Sequence, residues 1–100
     1  MNPVIRTGSR MTEESLSPDS AAQLLETGCQ LVDVRSPAEF ERDALPGALN
    51  LPVTALSWKF RCLNRFRPVI LCSDNGFHCH TAARLLAGEG FSRIYHLAVN

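Results

Sequence analysis

Cys72 is the residue of this chain best placed to do chemistry. It ends the apolar run Pro68-Val69-Ile70-Leu71 and opens the polar stretch Ser73-Asp74-Asn75-Gly76-Phe77-His78, ahead of an Ala/Leu-rich helical pattern. A strand that runs through a short loop into a helix presents backbone N–H groups and the positive end of a helix dipole to whatever sits at the strand tip. A cysteine there is a candidate nucleophile. Its ordinary pKa near ~8.5 leaves a few per cent thiolate at neutral pH, and a drop of about 1.5 units would leave most of it ionised. The amides of Ser73, Asp74, Asn75, Gly76, Phe77, His78 and Cys79 are the expected anion cradle. The plainer alternative is a small apolar residue at the end of a buried strand, since free cysteine is among the most buried residue types.

Cys79, seven residues on, is either a resolving thiol for a Cys72–Cys79 disulfide or a helix-start residue packed beneath the loop. His78-Cys79-His80 with Cys72 has the residue types for zinc, but His78 and His80 are two apart and leave a helix on opposite sides, so no metal site is expected. Phe77, beside Gly76, is a candidate for lining a pocket entrance or plugging it.

The remaining sequence must supply the frame that holds Cys72. One hundred residues make one small domain, with ten basic residues against ten acidic ones. A balanced charge gives no reason to expect nucleic acid or an anionic membrane as partner. No apolar run approaches ~18 residues, which argues against a membrane span and makes a cytoplasmic location the default expectation. Four cysteines without a secretory signal read as reduced thiols.

Residues 1–16 show no hydrophobic period and read as a flexible arm, in which the part up to Arg10 is consistent with a vector-derived leader before a start at Met11. Residues 17–100 read as the domain. Ser17-Pro18-Asp19-Ser20 predicts a capped helix running to Gly28, Gln30 to Arg35 a buried strand, and Ser36-Pro37 a second capped helix through Arg42. Leu45 to Pro52 is extended and broken at Pro46-Gly47. Leu56, Phe60 and Leu63 share a helical face within 54–66. Val69 to Leu71 is the central strand, Cys79 to Ala87 a helix stopped by Gly88-Glu89-Gly90, and Arg93 to Leu97 the last strand. Strands alternating with helices predict an α/β fold, a small parallel sheet flanked by helices on both faces, with ligands outside the carboxyl ends of the strands.

Five blocks in order carry a resemblance: Leu31-Val32-Asp33-Val34-Arg35, Glu39-Phe40, Leu45 to Pro52, Val69-Ile70-Leu71-Cys72, and Thr81 to Leu86 with Gly90-Phe91. From about residue 17 to 97 the chain resembles the rhodanese-like domain. That resemblance implies a cofactor-free sulfurtransferase in which Cys72 takes a sulfane sulfur from thiosulfate or a persulfide donor. The resulting persulfide hands it to a thiophilic acceptor, a small thiol or a protein. It also implies that Asp33 and Arg35 are structural, tying the first strand's end to neighbouring loops.

The chain departs from the family pattern in four places. The loop offers Asp74 and no arginine, and is one residue longer than usual, a length shared with phosphatases and arsenate reductases of the Cys-x5-Arg type. His78 stands where their arginine would, without its bidentate clamp, which argues against phosphatase chemistry. Asp43-Ala44 replaces a common Gly-His. The chain also stops at Val99-Asn100, where relatives continue into a final helix, which leads to the expectation of a short form or of a neighbouring subunit over that edge. The alternative function is a catalytically weak rhodanese-like module for partner docking or redox sensing through Cys72 and Cys79.

Overall fold

The computed structural model describes residues 18–98, so the expected arm over residues 1–16 and the Ser17 cap lie outside the described residues. Four helices and four strands alternate: α1 (Pro18–Glu26), β1 (Gln30–Asp33), α2 (Pro37–Asp43), β2 (Leu49–Asn50), α3 (Leu56–Lys59), β3 (Val69–Ser73), α4 (Gly76–Gly88) and β4 (Ile94–Ala98). All strand pairs are parallel, in the order β2-β1-β3-β4. The strand order reverses between β1 and β3, the position outside whose carboxyl ends open α/β sheets place their binding crevice. The expected α/β architecture is what the chain adopts.

Both faces of the sheet are covered because every residue of β3 is apolar or small and buried. Side chains alternate across it. Val69 and Leu71 face a core with Val32, Val34, Leu56, Phe60, Cys79, Ala82, Ala83 and Leu86, formed under α3 and α4. Ile70 and Cys72 face the other layer with Cys29, Leu31 and Leu97, closed by Leu24 and Leu25 of α1.

Two elements differ from the sequence-based expectation. The helical face of Leu56, Phe60 and Leu63 exists, but α3 is one turn, continued by a 3-10 turn over Phe60–Cys62. Asn64 then turns the chain, its side chain accepting from the Phe66 N–H and its carbonyl from the Arg67 N–H. Gln30 holds that turn to β1 from both ends of its amide. The second difference lies at the candidate site: α4 begins at Gly76 rather than Cys79, capped by the Asn75 side chain on the Phe77 N–H at 2.8 Å.

Candidate functional site

Cys72 stands beside Asp33 in the register of β1 and β3, and beside Leu97 of β4. Partners in adjacent parallel strands share a face about 5 Å apart, so Asp33, Cys72 and Leu97 form one row at the strand tips, next to the crevice. The Cys72 carbonyl accepts the Val34 N–H at 3.1 Å, which fixes this tip against the end of β1. The thiol is fully buried. Burial pushes its pKa up, Asp33 and then Cys79 push it further, and Arg35 pulls it down. A buried carboxylate and a low dielectric both disfavour a thiolate. In this conformation Cys72 is therefore a protonated thiol, which corrects the expectation of a depressed pKa.

The cradle expected from the loop amides also differs. Gly76, Phe77, His78 and Cys79 belong to the first turn of α4, leaving only Asp74 and Asn75 between strand and helix. The Asn75 N–H donates to Ser73 Oγ at 3.0 Å, the Phe77 N–H to Asn75 Oδ1, and the His78 and Cys79 N–H groups to the Asn75 carbonyl at 3.1 and 3.3 Å. Those four amides are satisfied within the turn. Ser73 is buried, Asp74 is exposed, and His78 is partly covered with its ring tilted against Phe77 at 6.3 Å between centroids. Phe77 itself is 73 % exposed, so it plugs nothing.

Cys79 is fully buried under α4, in the opposite layer from Cys72, and neither thiol is in a disulfide. Among the described residues no group of three or more His, Cys, Asp or Glu could hold a metal ion. No described helix is long and apolar enough to cross a membrane.

The charged residues beside Cys72 make a tight network. Arg35 is buried, and its Nε donates to both oxygens of Asp33 (3.1 and 3.2 Å), its Nη2 to Asp33 Oδ2 (2.9 Å) and its Nη1 to Asp43 Oδ1 (2.9 Å). The Arg35 N–H returns to Asp33 Oδ1 at 2.9 Å. Hydrogen bonds to Asp33 hold the guanidinium pKa well above its ordinary value, against the cost of burial. Asn50 Nδ2 closes the frame on the carbonyls of Asp33 and Arg35. Asp33 and Arg35 thus join the end of β1 to the end of α2 and to β2. Sequence reasoning missed Asp43, the residue that completes the network; an acidic side chain at a helix C-terminus, where the dipole disfavours it, was the signal available.

The family model for the rhodanese-like domain matches residues 17–98. A thiosulfate sulfurtransferase, GlpE, of Pseudomonas syringae pv. syringae is 34% identical over 86 residues, covering 85% of this chain and 81% of that protein. The uncharacterized protein YqhL of Bacillus subtilis is 37% identical over 68 residues, 68% of this chain and 54% of that protein. Among solved structures, the single-domain sulfurtransferase RDL2 of Saccharomyces cerevisiae superposes with a TM-score of 0.68 at 20% identity, covering 91% of this chain and 85% of that one.

Proposed function

Because this chain belongs to the rhodanese-like domain family, we propose that it is a sulfurtransferase carrying sulfane sulfur as a persulfide on Cys72. The observation that carries the reading is the position of Cys72 at the carboxyl tip of β3, beside the crevice where strand order reverses and ahead of the N-terminus of α4. The Cys72 thiolate attacks the outer sulfur of thiosulfate or of a persulfide. A new S–S bond forms at Cys72, the donor's S–S bond breaks, and sulfite or the donor thiolate leaves with the bonding pair. An acceptor thiolate or cyanide then takes the outer sulfur and returns Cys72 as thiolate. No external oxidant or reductant and no cofactor enters the cycle.

The buried, protonated Cys72 is the closed form of such a site. Transfer runs through an open form in which the turn over residues 73–76 releases Asn75. The Phe77, His78 and Cys79 N–H groups that Asn75 now occupies then turn to the persulfide anion, with the dipole of α4 behind them. Opening and ionisation are linked, since exposure removes the largest cause of the raised pKa.

The test is thiocyanate formation from cyanide with thiosulfate and, separately, an alkyl hydropersulfide as donor. Turnover that is abolished in Cys72→Ser and retained in Cys62→Ser supports the reading, and turnover that survives Cys72→Ser overturns it.

One observation favours a second reading. Complete burial of Cys72 fits a rhodanese-like module of very low turnover that docks a partner through its strand-tip surface. Its redox-sensing version, a Cys72–Cys79 disulfide, meets the obstacle that the two side chains pack in opposite layers of the sheet. Absence of sulfur transfer from both donors, together with a folded protein, selects this reading.

A further inference from the structure

We propose that Asp43 is a specificity-determining residue of the Cys72 site, tuning it toward sulfur donors of low negative charge and against dianionic thiosulfate. The proposal rests on Cys72 being the sulfur acceptor, and extends that reading to the class of donor.

The argument starts from the donors of one guanidinium. Arg35 is the cation that acts on Cys72, and Asp33, its main partner, stands next to Cys72 in the sheet register. The Nε and Nη2 edge of Arg35 is consumed by Asp33. That leaves the Nη1 end of the buried fork to a second anionic partner. Asp43 takes it, at 2.9 Å. Two carboxylates on one guanidinium leave the strand-tip network with a net charge of −1. The charged and titratable groups facing Cys72 are thus Asp33 and Arg35 from β1 and its end, Asp43 through Arg35 from α2, and Cys79 from α4. Arg35 is the one cation in that set.

Asp43 is placed for this role rather than for packing. It is the last residue of α2, where the helix dipole disfavours a carboxylate, and its side chain is 46% exposed. None of the residues of α2 is buried, so Asp43 does not serve a core. Replacing it with asparagine keeps size and an acceptor for Nη1 while removing the second negative charge. The network becomes neutral and Arg35 regains attraction for an anion at the crevice.

The test reads charge at Cys72 independently of sulfur transfer. Wild type, Asp43→Asn and Asp43→Glu are alkylated with anionic iodoacetate and neutral iodoacetamide, and modification at Cys72 and Cys62 is quantified by peptide fragmentation mass spectrometry. Any change in how often the turn opens, or in thiolate content, affects both reagents alike and cancels in their ratio. Exposed Cys62 serves as internal reference. The expected result is a rise in the iodoacetate/iodoacetamide ratio at Cys72 of about three- to ten-fold in Asp43→Asn, the order of effect of removing one unit charge that acts through a bridging guanidinium at intermediate dielectric. The ratio at Cys62 stays constant, and Asp43→Glu retains the wild-type value. A parallel measurement of sulfur loading predicts the same direction for thiosulfate relative to an alkyl hydropersulfide. An unchanged ratio at Cys72 in Asp43→Asn, or an equal rise in Asp43→Glu, overturns the proposal. Failure of both sulfur donors in the wild type would overturn the sulfurtransferase reading instead, while the alkylation ratio still reports on Asp43.

Discussion

Replacing Arg35 with methionine should cost this domain about 3–5 kcal/mol, the range for breaking a buried ion pair from one side. The structure supplies the reasons. Asp33 is 1% exposed and Arg35 3% exposed, so Asp33 would remain as a charge that water cannot reach. Three side-chain contacts to its carboxylate disappear and one backbone N–H bond, from residue 35, stays. A surviving single donor does not solvate a buried carboxylate. For a domain whose whole stability is of order 5–15 kcal/mol, the loss is large: the urea midpoint should fall by roughly 2 M at a slope of about 2 kcal/mol/M. Asp43→Asn, which changes the half-exposed partner of the same guanidinium, should cost only about 0–1 kcal/mol. The double variant Asp33→Asn/Arg35→Met removes the orphaned charge and should be more stable than Arg35→Met alone by at least about 1 kcal/mol. Urea unfolding followed by far-ultraviolet circular dichroism measures all four proteins. If Arg35→Met lost less than about 1 kcal/mol, or the double variant were no more stable than the single one, the network would not carry the end of β1 as described.

Three further outcomes follow from the site and its frame. Asn75→Ala removes the cap of α4, worth about 1 kcal/mol, and should raise the alkylation rate of Cys72 about five-fold by favouring the open turn; an unchanged rate would show that Asn75 does not hold the site shut. Cys72, with its pKa raised by burial first and by Asp33 next, keeps its proton in the fold when the unfolded chain has lost it above the ordinary cysteine value of ~8.5. The wild type should therefore lose stability with rising pH, and its stability relative to Cys72→Ala should shrink by about 1.4 kcal/mol per pH unit above pH ~9, where a constant gap would contradict the raised pKa. Gly47→Ala should destabilise by about 1–2 kcal/mol in thermal unfolding, because φ is +83° there and an added Cβ meets Leu25 Cδ1 of α1; no loss would mean that this turn relaxes freely.

Much of the frame was legible because the periodicities were unambiguous. The buried runs at Leu31 and Val69, the Ser36-Pro37 start of α2 with its capping box to Glu39, and the Gly47 and Gly90 turns each have a local cause that the sequence spells out. The site was read less well, for two physical reasons. Gly76, His78 and Cys79 are weak helix formers, so the helix start appeared three residues late, although Asn75 is a strong N-cap and its side chain decides where α4 begins. The charge balance around Cys72 depends on a contact between β1's end and the last residue of α2; a carboxylate at that helix end is a local oddity, but its partner Arg35 is fixed only by tertiary packing. The burial of Cys72 follows from β3 continuing two residues past Leu71, which turns the thiol into the α1 layer.

The measurement that tests the central claim most directly is intact mass under non-reducing conditions after a short incubation with thiosulfate or an alkyl hydropersulfide, for wild type and Cys72→Ser. The account predicts a gain of one sulfur atom that requires Cys72, maps to its peptide and disappears when cyanide is added. No gain with either donor, or a gain that persists in Cys72→Ser, would contradict it.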